Sequence, residues 1–383
     1  MQPGGPLAGI KVLAVEQSVA GPLCSRILGD MGADVVKVEN AKDGDFARHW
    51  DGHVKGEASH FTWLARRKRS IALNLKDAEE REIFERLLAR ADVLISNMSS
   101  AAAHRLGFTK EKLGGSHPTL IACQISGYGP TGPFRDRKAY DMLVQAETGL
   151  MALTGDDAPT RVGVSIADIG TGIYAAALIL GALFEREHTG RGRAFDLTMF
   201  ETMSEFAGPN LTAFANGGVL YERNPRRHHS IVPYGVFEAS DGALVIAIEQ
   251  DAEWVVFSRD VLERPDLCAE RYATNAARLS LRREVEAEVE AAMRTRSRAD
   301  WLARLEAARL AYASINNIDA VWNHPVAKHL GLHREVTLPD SSPALVPTSP
   351  SERIFGRDQG QAHIPGLNAD KVAILAELDA ERP

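Results

Sequence analysis

The chain has 383 residues, of which 45% are hydrophobic and 25% are charged. This composition is that of a globular protein and excludes collagen-like, disordered and coiled-coil chains. The formal net charge of −7 at pH 7 excludes an overall positive field for nucleic acid, so local cations must meet any anionic ligand.

The beginning of the chain predicts a βαβ unit. Residues 10–15 form a β-branched apolar run that is typical of a buried strand, and Pro22 suits the first turn of the helix that follows. Gly32 is a typical helix end, and residues 34–39 form a second strand. A strand, a helix and a strand in so short a segment require parallel pairing.

The same alternation continues through the first half of the chain. The predicted elements are strands at 70–75, 92–96, 119–126 and 194–199, and helices at about 77–90 and 169–187. Helices between parallel strands cover both faces of one sheet. The pattern therefore predicts a doubly wound, Rossmann-like α/β domain.

The second half predicts a smaller α+β domain. Residues 205–232 predict an irregular connection, and Asp241-Gly242 between two apolar runs predicts a β-hairpin. Helical segments follow near 252–262, 278–293 and 298–310, and the tail ends in another helix. The predicted segments are a large domain at 1–204, a linker at 205–231, a small domain at 232–325 and a tail at 326–383.

The cysteines and the N-terminus predict a cytoplasmic protein. Cys24, Cys123 and Cys268 are odd in number and far apart, so they form neither a disulfide framework nor a metal-binding CxxC pair. The N-terminus has no signal-peptide pattern, and the longest apolar stretch, 173–184, is too short to span a bilayer. We therefore expect no membrane association and no metal.

Three local patterns were candidates for binding sites. The GxGxxG pattern at 127–132 is followed by prolines and charges rather than an apolar helix, so a dinucleotide site is not expected there. His49 and His53 have helical spacing, but Gly52 and the lack of a matching acid argue against a metal site. The basic run 66–69 is either a solvated surface cluster or a group of cations that meets phosphates.

Asp168 precedes an apolar helix, and this position allows two roles. As an N-cap, its carboxylate would accept hydrogen bonds from free backbone N–H groups of the first turn. In a cleft, the same ionised carboxylate could act as a nucleophile, because a helix N-terminus favours the anion. The spacing leaves both roles open.

Eight stretches follow one another through nearly the whole chain: LAGIKVLAVEQSVAGP, LGDMGADVVKVEN with GDFAR, RKRSIALNLK, ADVLISN with HRLGF, ISGYGPTGP with KAYD, VGVSIADIGTG, HTGRGRAFDLTMFE and PYGVFEASDG. In this order they resemble the class III CoA-transferase family, which includes formyl-CoA and carnitine CoA-transferases and the α-methylacyl-CoA racemases. The PYGVF and VGVSIADI stretches look like the branch that acts on short dicarboxylates such as mesaconate, itaconate and citramalate.

The resemblance implies that Asp168 is the catalytic nucleophile. It would attack the thioester of an acyl-CoA co-substrate and pass through aspartyl anhydride and aspartyl-CoA intermediates, with no permanently bound cofactor. A carboxylate near its reference pKa of about 4 would be ionised at pH 7. The resemblance also implies an interlocked homodimer in which the tail from 326 returns to the large domain.

The resemblance also assigns binding residues. The positions that match the family's CoA contacts are Val19, Asn40, Leu73, Lys76, Asn97, Arg105 and Lys138. Asn40 departs from the family, in which a cation often stands there. A second substrate carboxylate would be held by Arg226, Arg227 and His228, or by Arg48 or Arg66; for the first three the alternative is a solvated loop.

Tyr140 separates transfer from racemisation. Racemases carry a histidine at this position as one of two acid–base groups. A tyrosine with a reference pKa of about 10 is a poor base at neutral pH. We therefore expect a CoA-transferase that acts on an acyl-CoA and a short, dicarboxylic acid. The alternatives are an acyl-CoA racemase or isomerase and a non-catalytic protein that binds CoA thioesters.

Overall fold

The computed structural model describes residues 4–356 and 360–380. The chain divides into two compact units. The bounds of the first are Met1–Leu150, Val162–Leu211 and Pro325–Pro383, and those of the second are Met151–Arg161 and Thr212–His324. Residues 151–161, inside the predicted range 1–204, thus group with the second unit.

A parallel sheet forms the centre of the first unit. Its strands are β1 (Lys11–Val15), β2 (Asp34–Asn40), β3 (Lys68–Leu73), β4 (Val93–Ser96), β5 (Ile121–Ser126) and β6 (Ala194–Thr198). Their order is β3-β2-β1-β4-β5-β6, and all neighbouring pairs are parallel. This is the strand order of doubly wound dinucleotide-binding folds, so the predicted fold class is confirmed.

Helices cover both faces of this sheet. The helices in this part of the chain are α1 (Ala20–Asp30), α2 (Ser59–Ala65), α3 (Ala78–Ala89), α4 (Ser100–Leu106), α5 (Lys110–Ser116), α6 (Asp141–Glu147), α7 (Leu150–Leu153), α8 (Ile166–Thr189), α9 (Met199–Phe206) and α10 (Gly208–Gly217), with a 3-10 turn at Phe46–His49. Cys24 of α1 and Ile179 of α8 are buried on one face. Phe84 of α3 and Ala103 of α4 are buried on the other.

Helix α8 packs closely on α1 at Gly172. A Cβ atom there would lie 2.8 Å from the carbonyl oxygen of Ala20, so only glycine allows this approach. With 24 residues, α8 is longer than the apolar stretch 173–184, and by length and hydropathy alone it could cross a membrane. Half of its most apolar window is buried inside the protein, which is typical of a core helix with one packed face.

Helix α10 corrects the prediction of an irregular connection at 205–232. Its Gly208-Pro209 start looks like a loop signal, but a proline is tolerated in the first turn of a helix. No residue of α10 is buried in the chain, although Leu211 and Phe214 have helical spacing. The prediction was wrong because the glycine, proline and asparagine residues of this segment are typical of a loop.

The second unit contains the predicted hairpin. Strands β7 (Tyr234–Ala239), β8 (Gly242–Ala247) and β9 (Ala311–Ser314) form an antiparallel sheet, and Gly242 has a φ of +135° at the turn. Helices α11 (Asp251–Val256), α12 (Asn275–Ser280), α13 (Arg282–Met293), α14 (Arg298–Ala307) and α15 (Ile318–Trp322) accompany it, with a π-helical turn at Phe257–Val261 and 3-10 turns at Pro265–Cys268 and Glu270–Tyr272. Trp254, Phe257 and Trp301 are central to its core.

The last part of the chain belongs to the first unit again. Its elements are α16 (Pro325–Leu330), β10 (His333–Thr337), β11 (Pro343–Pro347), α17 (Pro350–Phe355), β12 (Ala362–His363) and α18 (Lys371–Ala380). Helix α17 packs on α1, and α18 packs on β3 and α3.

The basic run 66–69 helps to hold this last part in place. Arg66 is fully buried, 3.1 Å from Asp30 of α1 and 3.4 Å from Glu352 of α17. Lys68 is also buried, with its ammonium group 2.7 Å from Glu16. Both predicted roles, a solvated cluster and a phosphate site, are therefore wrong for these two residues. Buried cations need such carboxylate partners, and here the partners join three segments of the chain.

Candidate active site

A cleft of about 940 Å³ lies at the carboxyl ends of β1, β2 and β3. It is lined by Val15, Glu16, Gln17, Val38, Glu39, the loop residues 40–45, Leu73, Asn74, Leu75, Lys76, Arg81, Met98, Ser99, Ala102, Arg105 and Leu106. In the sheet, β2 and β3 lie on one side of β1, and β4, β5 and β6 lie on the other side, so the strand order reverses at β1. In doubly wound folds ligands bind at this reversal point, outside the carboxyl ends of the strands.

The accessible charges of the cleft are mostly positive. The acids of its floor are buried and paired: Glu16 with Lys68, Glu39 with Arg48, and Asp45 with Lys37, at N–O distances of 2.7, 2.7 and 2.8 Å. The cations along its walls are Lys42, Lys76, Arg81 and Arg105, against the single exposed acid Asp43 among the described lining residues. This local excess suits a polyanionic ligand, although the chain as a whole is negative.

Four of the seven predicted CoA contacts line this cleft: Asn40, Leu73, Lys76 and Arg105. The Asn40 amide oxygen accepts hydrogen bonds from the backbone N–H groups of Lys42 and Asp43, so this side chain holds the loop 40–45 in shape.

The other three predicted contacts have different surroundings. The side-chain amide of Asn97 bonds both the N–H and the C=O of Gln17, which fixes a lining residue. Val19 is buried, and Lys138 is exposed outside the cleft lining.

Asp168 lies in the first turn of α8, as its third residue. Ser165 occupies the N-cap position, so the predicted N-cap role of Asp168 is wrong. The next residue, Ile169, packs against Val19 and Leu23 of the turn and helix that follow β1. Gln17 of the cleft lies two residues before Val19. The nucleophile candidate is thus close to the turn that borders the cleft.

A second carboxylate is held beside this turn of α8. Asp141, at the start of α6, is buried and accepts a 2.8 Å hydrogen bond from the backbone N–H of Ala167. Its other oxygen accepts a 2.7 Å hydrogen bond from Gln145, whose own carbonyl oxygen binds the N–H of Val162. Sequence reasoning missed Asp141 and Gln145, although their i,i+4 spacing places both on one helix face.

Burial and the charge of Asp141 raise the pKa of Asp168 to about 7. No described residue donates a hydrogen bond to the Asp168 carboxylate to offset these effects. The pKa of this carboxylate therefore lies near neutral pH, which corrects the expectation from its reference value of about 4.

The predicted substrate residues are distributed over both units. In the first unit, Tyr140 precedes α6 and is exposed, and the Arg48 guanidinium already binds Glu39 and the carbonyl oxygen of Pro365.

In the second unit, Arg226 pairs with Glu238, and Arg227 lies over the Phe237 ring and contacts Glu290. The His228 ring stacks on Tyr234. Arg226, Arg227 and Arg48 therefore already have carboxylate partners within the chain.

Comparisons with known proteins show the same family relationship over almost the whole chain. Residues 7–371 match the family model described as CoA-transferase family III. A succinyl-CoA:glutarate CoA-transferase from Mus musculus is 33% identical over 94% of this chain and 84% of that protein. A succinyl-CoA:mesaconate CoA-transferase from Haloarcula marismortui is 32% identical over 98% of this chain and 97% of that protein. The crystal structure of a CAIB/BAIF family protein from Brucella suis has a TM-score of 0.82 at 34% identity, covering 98% of this chain and 100% of that one.

Proposed function

The chain belongs to CoA-transferase family III and is an acyl-CoA:carboxylate CoA-transferase; on this premise we propose that its acid substrates are short dicarboxylates and that Asp168 carries the reaction. The observation that supports this most directly is the position of Asp168. It is a half-buried carboxylate with a pKa of about 7, next to the turn that borders a cleft with a positive charge excess.

The reaction proceeds through acyl exchange on Asp168. A carboxylate oxygen attacks the thioester carbon of the donor, which forms an aspartyl anhydride and releases the CoA thiolate. The thiolate attacks the aspartyl carbonyl carbon, which releases the donor acid and leaves an aspartyl-CoA thioester. The acceptor carboxylate then attacks the aspartyl carbonyl carbon of this thioester, which releases the CoA thiolate and forms a second anhydride. The thiolate attacks the acceptor carbonyl carbon of that anhydride, which gives the acceptor acyl-CoA and regenerates the Asp168 carboxylate.

The raised pKa of Asp168 favours this role. A carboxylate with a pKa of about 7 is more basic, and so a better nucleophile, than one with a pKa of about 4. The hydrogen bond from the backbone N–H of Ala167 holds the negative charge of Asp141 beside the helical turn that carries Asp168. Val19, Asn40, Leu73, Lys76, Asn97, Arg105 and Lys138 would serve the CoA moiety, with Asn40 and Asn97 acting through the cleft loops that they fix.

Isotope transfer tests the proposal. The enzyme is incubated with succinyl-CoA and glutarate, mesaconate, citramalate or oxalate labelled with ¹⁸O in the carboxylates. The second anhydride leaves one acceptor oxygen on Asp168 in each turnover, so the peptide that contains it should gain one heavy oxygen, or two after repeated turnovers. Asp168→Ala should bind CoA but neither transfer CoA nor gain label. Transfer by this variant at near-normal rate would show that another residue is the nucleophile.

The same experiment separates the two alternatives. A racemase or isomerase would exchange the α-proton of an acyl-CoA with solvent without moving CoA between acids. A non-catalytic binding protein would show neither reaction. Tyr140, which precedes α6 and is exposed, stands where racemases carry a histidine, which supports transfer over racemisation.

The active form is proposed to be an interlocked homodimer. Helices α6, α8 and α9 pack together and leave large apolar side chains exposed on their outer surface: Met142, Leu143, Ile173, Leu178, Phe184 and Phe206. Contiguous apolar patches on a protein surface mark interaction sites. A second copy of the chain is the occupant that the family resemblance implies. A cytoplasmic location stays a prediction.

A further inference from the structure

We propose that Arg81, a residue outside the set of expected CoA contacts, binds the 3′-phosphate of CoA. The inference rests on the proposed function, because it requires that CoA occupies the cleft. It adds a residue that makes the enzyme distinguish CoA from its analogue without the 3′-phosphate.

The position of Asp168 gives the ligand a direction. Asp168 is carried by α8, which packs with α1 on one face of the sheet. Helices α3 and α4, which carry Arg81 and Arg105, pack on the opposite face. The cleft lies at the carboxyl ends of β1, β2 and β3, and its lining includes Arg81 of α3 and Arg105 of α4. Since the thioester and the nucleotide are at opposite ends of CoA, a thioester at Asp168 places the nucleotide beside α3 and α4.

Arg81 is held in place at that end of the cleft. Its Nη2 donates a 2.9 Å hydrogen bond to the carbonyl oxygen of Leu106, the last residue of α4. Its Nε donates a 2.7 Å hydrogen bond to Glu85, one turn further along α3. Nη1 donates no hydrogen bond to a described residue, so its two N–H groups remain for a ligand. A guanidinium group whose orientation is already fixed by hydrogen bonds loses little conformational freedom when it binds a phosphate.

The neighbouring polar residues support this assignment. Lys76 and Arg105 line the same end of the cleft and are exposed. The Asn40 amide is neutral and already accepts hydrogen bonds from its own loop. Glu85 offsets part of the Arg81 charge, but its side chain is half exposed, so solvent weakens that attraction. A dianionic 3′-phosphate would therefore meet three cations at this end.

Binding of two ligands to four proteins tests the assignment. CoA and 3′-dephospho-CoA are titrated by calorimetry into the wild type, Arg81→Gln, Arg81→Lys and Arg86→Gln. Arg86 is the control, because it lies on α3 with nearly the same side-chain exposure, 25% against 26%, but pairs with Asp379 and does not line the cleft.

The wild type and Arg86→Gln should bind CoA about tenfold or more tightly than 3′-dephospho-CoA, since a charge-assisted hydrogen bond is worth roughly 1.5–3 kcal/mol. Arg81→Gln should lose most of this difference by weakening only CoA, and Arg81→Lys should retain part of it. Equal weakening of both ligands, or unchanged affinity for CoA, would overturn the assignment. A wild type that binds neither ligand would instead overturn the proposed function.

Discussion

Opposing effects act on the carboxylate of Asp168. The first turn of a helix has free N–H groups and a positive dipole end, which favour an anion. Burial removes water from the carboxylate, and Asp141 places a like charge nearby, so the pKa is raised to about 7 in spite of the helix. Removal of the Asp141 charge should therefore lower this pKa.

The activity should reflect this pKa. Because the nucleophile is the ionised form, kcat/KM for the donor thioester should fall as the pH is lowered through about 7. Asp141→Asn keeps an oxygen for the Ala167 N–H but removes the charge, so the fall should move to lower pH. Glu147→Gln, on the same helix but paired with Arg137, is the control and should leave the profile unchanged. An unmoved profile in Asp141→Asn would contradict this origin of the shift.

Arg226 is the most exposed of the arginines predicted to hold a second substrate carboxylate. Its side chain is 46% exposed, whereas those of Arg227 and Arg48 are 13% and 9% exposed, although all three pair with acids of the chain. Arg226→Gln should lower kcat/KM for dicarboxylic acids about 10–100-fold and leave monocarboxylic acids nearly unchanged. Glu238→Gln, which removes the partner of Arg226, should not reduce activity on dicarboxylic acids. Equal losses for both acid classes would exclude this role.

The contact between α1 and α8 determines where Asp168 stands relative to the cleft. Gly172 follows Asp168 by one helical turn, and a side chain there would meet the backbone of Ala20 and the side chain of Leu23. Gly172→Ala should force the helices apart and cost about 1–3 kcal/mol of stability. Since α8 carries Asp168, kcat should also fall.

Thermal unfolding and kinetics of Gly172→Ala test this coupling. Gly114→Ala is the control, because Gly114 lies in the exposed helix α5 and a Cβ atom there meets nothing within 4 Å. This control should leave kcat unchanged and stabilise the protein by at most about 1 kcal/mol through helix propensity. Full stability and activity of Gly172→Ala would show that the close contact between α1 and α8 is needed neither for stability nor for the position of Asp168.

The elements that sequence reasoning predicted correctly have strong patterns. β1, β2, β4 and β5 are short β-branched runs buried on both faces, and α3 and α8 are long helices with one packed face. Helices α2, α4, α5 and α6 were missed because each has seven residues, too few to show a helical period.

The site could be predicted from the sequence only in part. The resemblance supplied Asp168 and four of the residues that line the cleft. Contacts between distant parts of the chain could not be predicted. Asp141 accepts a hydrogen bond from a backbone N–H of α8, and Arg81 donates one to a carbonyl oxygen of α4. The basic run 66–69 was misread for the same reason, since its partners Asp30 and Glu352 are far away in sequence.

The apolar surface of α6, α8 and α9 predicts the oligomeric state. Light scattering after gel filtration should give about twice the chain mass of 41.7 kDa. Leu178→Glu places a charge in this surface and should release monomers or prevent assembly. Val372→Glu is the control, because Val372 is even more exposed but lies on α18, on the opposite face of the sheet. A wild type that is monomeric at micromolar concentration would contradict the dimer.

An interlocked dimer should exchange its subunits very slowly, because threaded chains cannot separate without unfolding in part. Two surfaces that merely touch exchange partners at their dissociation rate, whereas interlocked chains exchange only as fast as they unfold. We therefore expect differently tagged wild-type dimers to form no mixed species over hours at 25 °C and to mix fully after denaturation and refolding. Exchange within minutes under native conditions would contradict interlocking and leave a dimer that assembles by surface contact alone.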